Sequence, residues 1–179
     1  QKMEIFNPAG SWWHPTTSTA GGVSLGVIAI LPTDMTDFSK NLDGTQIMFK
    51  GPNTAYKLLP ATQAISAVSD AQYPAVTVRG NPYLDGTFYV MEKDGTIWGS
   101  DLEDCSAWTG TNFITAEFEP DQGICLSKYN NYIVAFGQWS TQLFWDAANT
   151  TGSPLSPVEN GVMLIGCAHA NSVSQLEST

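Results

Sequence analysis

Three cysteines (Cys105, Cys125, Cys167), two histidines (His14, His169) and the acids around Asp101 are the residues from which a metal centre or active site would be built. The cysteines are odd in number and far apart, and neither histidine has a partner at ligand spacing. They read as three buried thiols of a protein made in a reducing cytoplasm. Asp101, Glu103 and Asp104 could gather around calcium, but the alternating acid-and-glycine order of a calcium loop is missing. Glu117 and Glu119 lie two apart on one strand and could share a face as a carboxylate pair; the ordinary reading is a solvated strand end. No nucleophile elbow, phosphate loop or dinucleotide fingerprint occurs. The expectation is therefore no catalytic residue, no cofactor site, no metal site and no enzyme activity.

What remains is recognition by aromatics. Adjacent Trp12 and Trp13 must point to opposite faces of a strand, so they are either both packed or one is an exposed anchor. Trp108 and Trp139 fall in turns, where an exposed indole would stack on a sugar or a protein partner. These four are the candidate interaction residues.

The elements that would position them are short strands. Residues 123–154 read as three strands joined by tight turns at Asn130-Asn131 and Gly137-Gln138-Trp139, since Asn and Gly tolerate the left-handed backbone of hairpin turns. The middle strand, 132–136, is apolar at every position, whereas an antiparallel strand with one wet face alternates. A meander dry on both faces predicts a blade stacked between two others, as in a β-propeller.

An internal repeat supports this. Leu42-Asp43-Gly44-Thr45 returns as Leu84-Asp85-Gly86-Thr87 at a gapless shift of 42 residues, which also brings Thr54 onto Thr96 and Tyr56 onto Trp98. The 123–154 stretch is a looser copy shifted by about 45 residues, within the usual blade period. The fold expected is all-β: about three four-stranded antiparallel blades at 24–68, 74–118 and 123–166, forming part of a larger propeller. Residues 1–23 would end a preceding blade, with 11–14 as its outermost strand, and 167–179 would begin a further one. Within the blades, 24–31 is expected as an innermost strand and 32–41 as a loop. Residues 75–79 open the second blade and 112–118 close it. In the third, 152–157 is a loop and 161–166 the outer strand.

The chain carries 17 acids against seven Lys and Arg, a formal charge of −10. A chain so acidic has no cluster to release counterions from phosphates, so tight intrinsic nucleic-acid binding is not expected. Such a surface either keeps the protein soluble or forms a wall that DNA slides past. The longest apolar run, 23–31, is too short to span a bilayer.

Two resemblances follow from these motifs. Asp94-Gly95-Thr96-Ile97-Trp98 resembles the Asp-box turn of sialidase propellers, but Glu92 replaces its serine, and Arg79 stands alone where sialidases use several arginines. The stronger one runs from Tyr83 to Asp121. It continues through the Tyr-Ile-Val-Ala-Phe-Gly strand at 132–137, Ser-Thr-x-x-Phe-x-Asp-Ala at 140–147, Gly-Ser-Pro-Leu at 152–155 and Gly-Cys-Ala-x-x-Asn-Ser-Val at 166–173. Together these resemble the packaged-DNA-stabilisation proteins of short-tailed bacteriophages, also called tail hub or nozzle-type proteins. The likeness covers about residues 40–179 well and the first forty weakly. It implies a structural virion protein of the tail, assembled in the host cytoplasm as a homo-oligomeric ring. Its partners would be portal, adaptor and other tail proteins, and it would retain packaged DNA and form part of the exit conduit. A glycan- or protein-binding propeller module is the alternative.

Overall fold

The computed structural model describes residues 5–7, 11–15, 22–27, 35–62, 64–116 and 121–173. Strands β1 (Ile5–Asn7), β2 (Ser11–Pro15) and β3 (Gly22–Val27) form a three-stranded antiparallel sheet in that order. Three four-stranded antiparallel meanders follow. The first contains β4 (Asp37–Lys40), β5 (Ile47–Lys50), β6 (Ala55–Leu59) and β7 (Ala64–Ala67). The second contains β8 (Tyr83–Leu84), β9 (Thr87–Met91), β10 (Thr96–Asp101) and β11 (Asp104–Thr115). The third contains β12 (Gly123–Tyr129), β13 (Tyr132–Gly137), β14 (Thr141–Asp146) and β15 (Leu155–Met163). The all-β, propeller-type expectation holds.

Strand periodicity explains the core. Successive side chains of β9 leave opposite faces of the sheet, and all five of its residues are buried. Phe88 and Val90 pack with Met48 and Ala55 of the first meander. Tyr89 and Met91 pack with Ile133, Ala135 and Phe144 of the third. A strand dry on both faces thus lies between two sheets, as a blade does. Burying each large side chain contributes about 1.5–3 kcal/mol, so these two layers dominate stability.

The repeat is structural. Asp43-Gly44 and Asp85-Gly86 both join the first strand of a meander to its second. Asp85 (φ 44) and Gly86 (φ 95) give the two positive angles that a type I′ hairpin requires. Asn130 (φ 52) stands in the corresponding turn of the third meander.

Several boundaries differ from expectation. β3 pairs with β2, Trp13 opposite Ser24, so residues 22–27 complete the sheet of the preceding strands and do not open the 37–67 meander; residues 28–31 of the expected 24–31 strand lie outside the described residues. β2 is the middle strand there, not the outermost. The first strand of the 37–67 meander is β4, inside the stretch read as a loop; its alternating half-buried and exposed Asp, Phe, Ser and Lys lack an apolar run. Residues 75–79 make backbone bonds at the edge of the second meander, and β8 is its first strand.

The outer strands begin earlier than the sequence indicates, because both bulge. From Trp98 to Ser100 the partners step from Phe113 to Trp108; from Gln142 to Phe144 they step from Val162 to Pro157. The same excursion therefore recurs at the same place in two neighbouring meanders. Pro157 is tolerated because β15 is an edge strand. Beyond it, residues 170–172, within the stretch expected to begin a further blade, form one 3₁₀ turn, and His169 Nδ1 accepts the Asn171 N–H. Glu117 and Glu119 lie outside the described residues.

Candidate interaction surface and cavity

The β13–β14 turn is held by one side chain. Asp121 accepts hydrogen bonds from the N–H groups of Gln138 (2.7 Å), Trp139 (2.8 Å) and Ser140 (2.8 Å), and from Ser140 Oγ at 3.0 Å. Desolvation pushes the Asp121 pKa up, but the donated N–H groups outweigh it and hold the carboxyl below the usual aspartate value. Gly137 has no room for a β-carbon, which would run into that carboxylate. The turn so fixed presents Trp139 with 71 % of its surface exposed. Past β15, Leu164 and Ile165 are equally exposed. The Ile165 carbonyl is bound by Thr141 Oγ1 at 2.7 Å, which ties this segment to the strand following the turn.

The other aromatic candidates fare differently. Trp108 is 3 % exposed and belongs to the layer between the first two meanders. Its indole donates to the Cys105 carbonyl at 3.0 Å and meets Tyr73 edge-on at 5.0 Å. It is a packing residue, not a stacking platform: its place opposite Ser100 turns it inward. Trp12 and Trp13 occupy consecutive places in β2, opposite Phe6 and Ile5.

The acids around Asp101 separate. Asp101 accepts from Thr109 Oγ1 (2.7 Å), Glu103 from the Tyr83 hydroxyl (2.6 Å), and Asp104 pairs with Lys57 Nζ at 2.7 Å. Glu103 (φ 56) also accepts from Asn41 Nδ2 at 3.1 Å, so this corner joins the first two meanders. In the Asp-box-like turn, Asp94 accepts the Thr96 N–H (2.9 Å) and Glu92 the Trp98 indole (2.8 Å), which makes it a turn staple. The cysteines are buried, and burial pushes Cys105 and Cys125 up to about 12, far from a reactive thiolate.

Sequence reasoning missed a cavity of about 370 Å³ between β4, the 79–82 segment and β12. Asp37 and Arg79 lie on its wall; Arg79 Nε donates to Asp37 at 2.9 Å. Behind them Lys50 is fully buried, its Nζ donating to the Val78 carbonyl at 2.5 Å and lying 3.8 Å from Asp37. The only signal was a lysine ending the apolar strand Ile47-Met48-Phe49-Lys50. On the far face of the third meander, Val134, Phe136, Leu143 and Met163 line an apolar concavity of about 300 Å³.

Stacked four-stranded meanders sharing apolar layers define a β-propeller segment. Solved structures agree on the fold. The chain is similar to a chain in the crystal structure of a mitotic checkpoint complex (13 % identity, TM-score 0.58, 94 % of this chain and 52 % of that one). It is also similar to YCF48 from Cyanidioschyzon merolae (7 %, TM-score 0.59, 91 % and 55 %). A third is PorZ, a bacterial surface component of the type-IX secretion system of Porphyromonas gingivalis (9 %, TM-score 0.52, 87 % and 22 %). The chain spans about half the length of the first two. No curated protein matches it. The family model described as "Bacteriophage P22 Gp10, beta-propeller" matches residues 16–179, and the chain belongs to that family. It is a phage structural protein built on a β-propeller.

Proposed function

We propose that the protein is a non-enzymatic component of the phage tail that retains packaged DNA and forms part of its exit conduit. In this reading it assembles in the host cytoplasm as a homo-oligomeric ring against portal, adaptor or other tail proteins. The observation that carries the reading is the Trp139 turn: a large exposed indole, fixed in place by Asp121, beside exposed Leu164 and Ile165. Tryptophan is among the side chains most enriched at the energetic centres of protein interfaces. The charge of −10 is consistent with a wall that DNA passes without sticking.

The test is a phage lacking the full-length protein, complemented with wild type or Trp139→Ala. The expected result is that particles without the protein package DNA and lose it, wild type restores retention, and Trp139→Ala restores it poorly because fewer copies join the particle. Particles that keep their genomes but no longer adsorb to host glycans would replace the conduit by a sugar-binding role.

A further inference from the structure

The cavity beside Arg79 is anomalous in charge. The chain has seven Lys and Arg in all, and three of them meet here. Arg79 and Lys128 line the cavity, and Lys50 lies buried behind Asp37. The single carboxylate among the lining residues is Asp37, which both Lys50 and Arg79 share. Three positive charges therefore face one negative charge, in a protein that is otherwise strongly acidic.

The donors are not used up. Arg79 gives Nε–H to Asp37, one Nη2–H to the Thr36 carbonyl (3.1 Å) and one Nη1–H to Asn171 Oδ1. A guanidinium has five N–H groups, so two remain. The Lys128 side chain has no hydrogen bond or ion pair among the described residues. Three separate elements thus converge on one open space with unsatisfied positive charge: β4, the segment before β8, and β12. The Arg79 backbone is fixed as well, by a bridge to Cys125 and by the Leu126 N–H donating to its carbonyl at 2.8 Å.

We propose that this cavity is a binding site for a small phosphate-type oxyanion, held by the remaining Arg79 donors and by Lys128. The planar guanidinium matches an oxyanion in fork geometry, and an ammonium adds a point charge. A phosphate carries between one and two negative charges at neutral pH, opposite in sign to the excess of the site. The buried Lys50 acts from behind and touches no ligand; it raises the local potential that the anion enters. The site is independent of the interface reading of Trp139.

The experiment is isothermal titration of the full-length protein with inorganic phosphate, at ionic strength held constant with chloride. Arg79→Lys keeps the charge and removes the fork; Lys128→Gln removes the rim charge. Saturable binding that each variant weakens by about tenfold or more supports the site, that being the worth of one charge-assisted hydrogen bond. Heats that do not saturate, or that both variants reproduce, reduce it to a salt effect and overturn it. A short single-stranded oligonucleotide forms the second arm. If it binds in an Arg79-dependent way while free phosphate does not, the cavity reads a polymer backbone and the small-anion site is wrong. Should Arg79→Lys fail to fold by circular dichroism, Lys128→Gln decides alone.

Discussion

Asp121 holds the backbone N–H of Trp139 at 2.8 Å, so an indole with 71 % of its surface exposed rides on a turn fixed by a carboxylate. Order in the turn and exposure of the ring are separable. Asp121→Asn keeps the shape and loses the charge that three N–H groups share. It should cost about 1–3 kcal/mol of stability, as charged hydrogen bonds do. Trp139→Ala removes a side chain with little buried area and should change the denaturation midpoint by less than about 0.5 kcal/mol equivalent. Urea unfolding of both variants checks this. The Asp121 pKa is lowered in the fold, so its contribution is complete above the ordinary aspartate value and disappears as pH falls through the lower folded one. Asp121→Asn should lack that acid limb.

Two glycines with positive φ should respond differently to alanine. Gly44 (φ 73) has open space where a β-carbon would go, so Gly44→Ala carries only the left-handed backbone penalty, about 1–2 kcal/mol. Gly80 (φ 97) lies against β12, and a β-carbon there would overlap the Leu126 carbonyl oxygen. Gly80→Ala must move the second meander away from the third or break the Leu126–Arg79 backbone bond. We expect a loss at least about 2 kcal/mol larger than at Gly44, since strain adds to the lost bond. Thermal melts of the two variants measure the difference.

Phe144 tests the blade layer itself. It is fully buried between the second and third meanders, with Ile133 and Tyr89 in the same cluster. Phe144→Ala should cost about 3–5 kcal/mol by transfer and cavity formation together. Leu42→Ala, at a side chain that is almost wholly exposed, should cost next to nothing. If both were neutral by urea titration, the layer would not be the source of stability.

The fold was legible wherever one strand's chemistry is complete in itself. Residues 132–136, apolar at every position, read as a strand dry on both faces; Ile133 and Ala135 do enter the core shared with the second meander, whereas Val134 and Phe136 on the other face line an open concavity and Tyr132 is exposed. Asp85-Gly86 could only make a turn needing two positive φ values. Pairing across sheets was less legible. The apolar run that holds β3 carries no residue that selects one neighbouring sheet over the other, and the structure pairs it with β2. Bulges hid the start of the outer strands, because a bulged strand loses its alternation. Trp108 illustrates the remaining difficulty: its position in a polar segment suggested exposure, while its place opposite Ser100 puts it in the core. The charged cavity was illegible because Asp37, Lys50, Arg79 and Lys128 come from distant stretches.

Lys50 provides the last prediction, and its sign is the reverse of an ordinary ion pair. Burial lowers its pKa to about 8; Asp37 opposes this and Arg79 adds to it. The ordinary lysine value, 10.5, applies in the unfolded chain. Between about pH 8 and 10.5 the unfolded chain therefore binds more protons than the fold, and stability from this group rises with pH. Keeping the buried ammonium charged costs about 3 kcal/mol at neutral pH, and that cost is relieved across the window. Cys105 and Cys125, raised to about 12, pull the other way above their ordinary values, so the raw curve mixes opposite slopes. Subtracting the curve for Lys50→Met isolates the lysine. Wild type minus variant, measured by urea unfolding from pH 7 to 10.5, should climb with pH through the window. A flat or falling difference would mean that Lys50 stays charged in the fold at no cost, with Asp37 alone sufficient to hold it.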